Sequence, residues 1–391
     1  MKEVDQMVLI KLAVLTVLTC LSFSGPVDAK MVVSGDYLLS VFDDEIEGAS
    51  ADHPEAGLVR ISLDGSGGGT FQDLILSDDG SLESGPLNYT LHPTGAVKLL
   101  PGEGFIPGIA SQNAQLLTFA ETGENAPGFI FGIKKPDAAL TMATKSYIAV
   151  QFSDDIDNPG PGQTADEPSV ILMELTLGAD GIGSFQDLYS SDGEIENGAF
   201  TYSIDSTPAD GNLTVTIDLP PTESSIDHTG IISQDGSVFT FPLILAEERG
   251  ILVGIEKSDG DMDASTARGR YLMSQFADEI DNPGLSQNAD SPASGIIEMV
   301  LDGKGNGTFR ELYTSRPEGL TGDGSFTYTL SVNGELTVNT PGGEALHGIL
   351  SKDGDIFILA ETSRDYPAIN VGIKKTPSGS QSALFLLLDE D

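Results

Sequence analysis

Three acidic stretches hold the residues most suited to chemistry. They read Asp43-Asp44-Glu45-Ile46-Glu47, then Asp154-Asp155-Ile156-Asp157-Asn158-Pro159-Gly160, then Asp278-Glu279-Ile280-Asp281-Asn282-Pro283-Gly284. Carboxylates clustered beside an asparagine carbonyl are hard oxygen donors, the kind Ca²⁺ gathers about six to eight at a time. The candidate metal ligands are therefore Asp154, Asp155, Asp157 and Asn158 in the second stretch, and Asp278, Glu279, Asp281 and Asn282 in the third. The first stretch lacks the Asn-Pro-Gly ending and is the weaker candidate. None of the three has the glycine and distal glutamate of an EF-hand. The competing reading is a solvated loop in a chain that carries 60 acidic residues.

Other chemistries find less support. The glycine-rich runs Asp64-Gly65-Ser66-Gly67-Gly68-Gly69 and Asp302-Gly303-Lys304-Gly305-Asn306-Gly307 lie between strand-like segments. A phosphate loop needs a following helix whose first amides point at the anion, so these read as hairpin turns. The histidines His53, His92, His228 and His347 form no local cluster, whereas a transition-metal site needs convergent nitrogen or sulfur donors. No Gly-x-Ser-x-Gly elbow is present. Paired acids for glycoside hydrolysis are available everywhere in such a chain and discriminate nothing.

The net charge of −41 repels phosphates, which argues against nucleic acid and against an anionic membrane surface as partners. It favours cations or a cationic ligand outside the cell or in its envelope. Residues 1–29 read as a signal peptide. Lys2 and Lys11 precede an apolar run from Leu12 to Phe23, Gly25 and Pro26 break it, and Val27-Asp28-Ala29 supplies small residues for cleavage. The chain is thus expected to be exported, to the periplasm, the cell surface or the medium. An alternative is a lipoprotein acylated at Cys20, the one cysteine in the sequence. Without disulfides, stability must come from burial, which domains of this size can supply.

The elements that position the acidic stretches repeat. Gly35-Asp36-Tyr37, Lys145-Ser146-Tyr147 and Gly269-Arg270-Tyr271 each open a strand that ends in Phe42, Phe152 or Phe276 and then the acids. Downstream, Asp64-Gly65, Asp180-Gly181 and Asp302-Gly303 recur in order, followed by Tyr89, Tyr202 and Tyr328, and then by Gly108-Ile109, Gly230-Ile231 and Gly348-Ile349. Each copy closes on Gly132-Ile133-Lys134-Lys135 or its equivalents at Gly254 and Gly372. The units run over residues 30–139, 140–262 and 263–391, and 383–391 resembles the first strand of a fourth copy.

Within a copy the apolar period is two. Phe326-Thr327-Tyr328-Thr329-Leu330 alternates apolar residues with threonine, one face buried and one wet. Asn333-Gly334 predicts a tight type I′ hairpin. The fold class is therefore all-β, with three tandem antiparallel units of about eight strands each, as up-and-down barrels. The rival arrangement of the same strands is a six-bladed propeller.

The order of a Gly-x-Tyr strand, an Asp-Gly-x-Gly hairpin, a Tyr-Thr strand with Asn-Gly, and an Asp-Gly-x-x-Phe hairpin resembles exported bacterial tandem-repeat proteins with calycin-like (lipocalin- or avidin-like) barrels. The resemblance runs through each copy on turn motifs. It implies a barrel and small-molecule binding in its interior. Tyr37, Tyr147 and Tyr271 stand where the lipocalin first strand carries tryptophan.

These readings converge on a non-catalytic exported repeat protein, a binding or structural module at or outside the cell envelope, stabilised by calcium. The alternatives are a secreted hydrolase with acidic catalytic residues and a carrier that holds small ligands inside the barrels.

Overall fold

The computed structural model describes residues 31–46, 52–77, 82–100, 105–123, 126–138, 140, 143–155, 168–204, 228–245, 248–278, 292–316, 322–363 and 366–375. Among them every regular element is a strand. The first unit is a closed barrel of eight antiparallel strands, from Ser34–Ile46 round to Pro127–Lys134, which pairs back onto the first. The third is a second closed eight-stranded barrel, from Gly269–Asp278 to Tyr366–Lys374. Between them lies a seven-stranded sheet in which Lys145–Asp155 pairs with Ser169–Leu177 on one side and Glu248–Glu256 on the other. Its first and last strands thus meet as they do in the barrels.

The propeller arrangement does not hold. Strand Asp323–Leu330 pairs directly with Glu335–Asn339, and Ser84–Leu91 with Ala96–Leu100, so the ladder continues where a blade boundary would have to fall. The hairpin at Asn333-Gly334 also differs from expectation. Gly334 has φ of +90° while Asn333 keeps negative φ, and the Gly334 amide donates to Ser331 O at 3.1 Å. This is a type I turn followed by a glycine bulge, which also suits the strand twist. The glycine-rich runs are turns as read from the sequence. Asp64 Oδ1 accepts from the amides of Ser66 and Gly68, and Asp302 Oδ1 from those of Lys304 and Asn306, at 2.7 and 3.0 Å in both cases. These amides hold both carboxyls below the usual carboxylate range.

Alternation in Asp323–Leu330 follows the expected pattern, Phe326 and Tyr328 buried and the threonines exposed. The first strands break it, because both their faces are buried. One face fills the unit's own interior with Tyr37 and Leu39, Tyr147 and Ala149, or Tyr271 and Met273. Each of these tyrosines donates its hydroxyl at 2.7 Å to a turn carbonyl, at Ala114, Gly236 and Gly354 respectively. The aromatic that opens each unit thus pins the turn that leads into its next-to-last strand.

The other face of each first strand enters one core shared by all three units. Equivalent residues meet in layers: Leu38, Ile148 and Leu272; Ser40, Val150 and Ser274; then Phe42, Phe152 and Phe276. The three phenyl rings touch one another with centroids 5.4, 5.0 and 5.0 Å apart. Around this axis the contacts are cyclic. The second strand of each unit (Asp52–Asp64, Ser169–Leu177, Pro292–Leu301) lies against the next-to-last strand of the next: Val238–Ile244, Ile356–Ser363 and Leu116–Thr122 in turn.

Truncating one ring of the triad removes contacts to two other units at once. Phe276→Ala is expected to cost about 3–5 kcal/mol, measured by urea unfolding. Val332→Ala, at a residue 60% exposed, is the control and should stay within about 0.5 kcal/mol.

Candidate functional site

One step beyond the phenyl layer, on the same face of the same strands, stand Asp44, Asp154 and Asp278. All three are buried, at 0, 1 and 0% exposure. Each offers a carboxylate oxygen, and the three oxygens lie within 4.8 Å of one another. Among the described residues this is the one group of His, Cys, Asp or Glu side chains close enough to share a metal ion. Across the ladder Asp44 faces Pro54 and Asp278 faces Pro292, residues without an N–H to donate. Asp154 faces Arg249, whose guanidinium donates to the carbonyls of Leu245 and Glu248.

The electrostatics of the cluster follow from its size. At an effective dielectric of about 20, two unit charges 4.8 Å apart repel by roughly 3.5 kcal/mol. Three ionised carboxylates carry that cost three times over, and a shared cation would offset it. Three carboxylates can present six oxygens, a hard donor set that fits Ca²⁺ or Mg²⁺ and not a metal that prefers nitrogen or sulfur.

The fold thus brings together two of the sequence candidates, Asp154 and Asp278. Asp155 lies at the end of its strand opposite Glu248. Asp157, Asn158, Glu279, Asp281 and Asn282 lie outside the described residues. Sequence reasoning treated each acidic stretch as its own site and left out Asp44, because the first stretch lacks Asn-Pro-Gly. The signal that identifies it is positional: in every copy an aspartate stands two residues after the phenylalanine of the first strand, so it shares that residue's face.

A second feature has no local motif. The third barrel holds a half-open cavity of about 210 Å³ walled by Met273, Met299, Phe309, Phe326, Leu346 and Leu359. Polar groups enter it from Asn370, Gln275 and Glu361, with Arg316 and Tyr366 beside them. Asn370 is fully buried, and neither its Nδ2 nor its Oδ1 meets a hydrogen-bonding partner among the described residues. Glu361 is 8% exposed. Burial pushes its carboxyl up to about 7, and the negative charge and hydrogen bond of Glu344 add to the rise against the pull of Arg316. Arg316 donates to the Tyr366 hydroxyl and lies 5.3 Å from the centre of its ring.

No family model matches the sequence, and no curated protein matches it. Among solved structures, transferrin-binding protein B from Haemophilus parasuis Hp5 aligns over 88% of this chain and 76% of its own, at 9% identity and a TM-score of 0.29. Transferrin-binding protein B from serogroup B Neisseria meningitidis aligns over 88% and 75%, at 9% identity and a TM-score of 0.26. At these scores the superposition carries no conclusion about fold or partner, and the barrel assignment rests on the strand pairing above.

The raised carboxyl of Glu361 has a consequence for stability. Its folded value of about 7 exceeds its ordinary 4.5, so the folded state holds the proton more tightly. The stability this contributes is complete below about 4.5 and is lost as pH rises through about 7. Glu361→Gln removes this dependence. The stability of the variant relative to the native protein should therefore increase between pH 5 and pH 8 in urea unfolding, and a flat difference would place the carboxyl at its ordinary value.

Proposed function

We propose that this chain is a non-catalytic exported module in which a divalent cation, Ca²⁺ by preference, joins three β-barrel units at the Asp44, Asp154 and Asp278 cluster. The observation that carries the reading is the convergence of three equivalent, fully buried carboxylates on the line where the units meet. One ion there would neutralise the mutual repulsion and cross-link strands far apart in the sequence. Its role would be to lock the units into one block, with the outer barrel walls left free for contact with a partner. The charge of −41 favours a cationic partner outside the cell or in its envelope.

The hydrolase alternative draws nothing from this cluster. A glycosidase acid pair must reach a substrate, and side chains at 0–1% exposure meet no polymer. The carrier alternative has a specific observation in its favour, the cavity of the third barrel.

Calorimetric titration of the chelator-treated protein with Ca²⁺ and with Mg²⁺ tests the proposal. One saturable Ca²⁺ site is expected, with added stability of about 2.7 kcal/mol at a hundredfold excess over Kd. The triple variant Asp44→Asn, Asp154→Asn, Asp278→Asn should lose both while remaining folded. Equal heats in the native protein and the variant, or a native melting temperature indifferent to Ca²⁺ and chelator, would sink the idea.

A further inference from the structure

We propose that the interior of the third barrel is a binding site for a small amphiphilic amine, with the apolar body in the cavity and the ammonium group against Glu361 and Asn370. This goes beyond the cation cluster and stands independently of it.

Two substitutions in the wall bear most directly on the cavity. On the last two strands the first unit pairs Phe119 with Ile130, and the second pairs Phe241 with Leu252. The third unit pairs Leu359 with Asn370 at the equivalent place. The register is secured by the neighbouring Gly108–Phe119 and Gly348–Leu359 pairs. A leucine for a phenylalanine opens space. An asparagine for an isoleucine or leucine places a buried amide, with no partner for either polar atom among the described residues, on the wall of that space. Leaving such a group unsatisfied is costly, and a void in a core adds to the cost. A bound molecule that fills the space and bonds the amide removes both costs.

Size and charge define the molecule. An engineered cavity of about 150 Å³ takes benzene, so 210 Å³ accommodates roughly eight or nine non-hydrogen atoms at the same density. The walls are Met, Leu and Phe side chains, which suit an aromatic ring or a short alkyl chain. The polar end is acidic on balance. Glu361 and Glu311 line the cavity and Glu344 lies next to Glu361. The single guanidinium, Arg316, is engaged with Tyr366. Glu361 therefore retains a proton well above its ordinary range, and an ammonium group in place of that proton would relieve the same electrostatic cost while donating to the Asn370 carbonyl oxygen.

The test compares three probes on one carbon skeleton by calorimetry at pH 8: 2-phenylethylamine, the neutral 2-phenylethanol and the anionic phenylacetate. The amine should bind at one site per chain, at least tenfold more tightly than the alcohol, and the acid more weakly than either. Leu359→Phe with Asn370→Ile restores the packing of the first unit and should abolish binding. If that pair does not fold, Leu359→Phe alone carries the test, with circular dichroism as the check on folding. Glu361→Gln should bring the amine down to the level of the alcohol. Tighter binding of phenylacetate, binding of none of the three, or amine binding that survives the filled cavity would each overturn the proposal.

Discussion

The structure depends on first strands that are apolar on both faces. A barrel wall facing water needs only an apolar interior face, and the fourth strand of each closed barrel has that pattern. The first strands instead carry Leu38 and Phe42, Ile148 and Phe152, Leu272 and Phe276 on the face away from their own interior. Burying a side chain of this kind is worth about 1.5–3 kcal/mol. The matching apolar surface comes from the other first strands and from the last two strands of the neighbouring units, with Phe129, Ile251 and Ile369 in the same core. The polar contacts between units, such as the Ser294 hydroxyl donating to the Glu121 carbonyl, are individually worth about 1 kcal/mol. Apolar burial on the axis therefore decides that the units assemble, and the hydrogen bonds set their register.

The cyclic arrangement follows from that requirement. With the first strands on the axis, the second strand of one unit is carried to the next-to-last strand of the next, all the way round. The linear order of the chain becomes a closed ring of contacts, with the third unit reaching the first through Pro292–Leu301 and Leu116–Thr122. Tyr189 of the second unit stacking on His347 of the third, with ring centroids 4.2 Å apart, belongs to the same set of interfaces.

Much of this fold was legible in the sequence, and the reasons divide cleanly. Strand period, Asp-Gly turns and the recurring Gly-x-Tyr opening are local signals, and they led to antiparallel units of about eight strands. The turn at Asn333-Gly334 was placed correctly and typed wrongly, because a glycine bulge and a type I′ turn share the same dipeptide. Assembly was not legible. An apolar run such as Leu38 to Phe42 reads alike whether its second face meets another unit or a longer loop of its own. The acidic stretches were recognisable as chemistry, yet which carboxylates meet depends on packing between units, so Asp44 escaped while Asp154 and Asp278 were included. Asn370 is a polar residue in an apolar run and stands out only once the three registers are superimposed, whereas Glu361 has Glu121 at its equivalent position in the first unit.

The acidic layer then raises the question of why an apolar axis should end in three carboxylates. An amide at each place would avoid the repulsion, and a leucine would extend the core. Acids at all three equivalent positions are the costliest choice for an isolated protein and the best one for a protein that shares a cation among its units. On the proposed reading the ion ties Asp44 to Asp154 and Asp278, more than a hundred residues apart in each case. A clip of that span removes more freedom from the unfolded chain than one within a single loop. It also sits where the apolar layers end, so the same line that gathers the barrels by burial would hold them by charge.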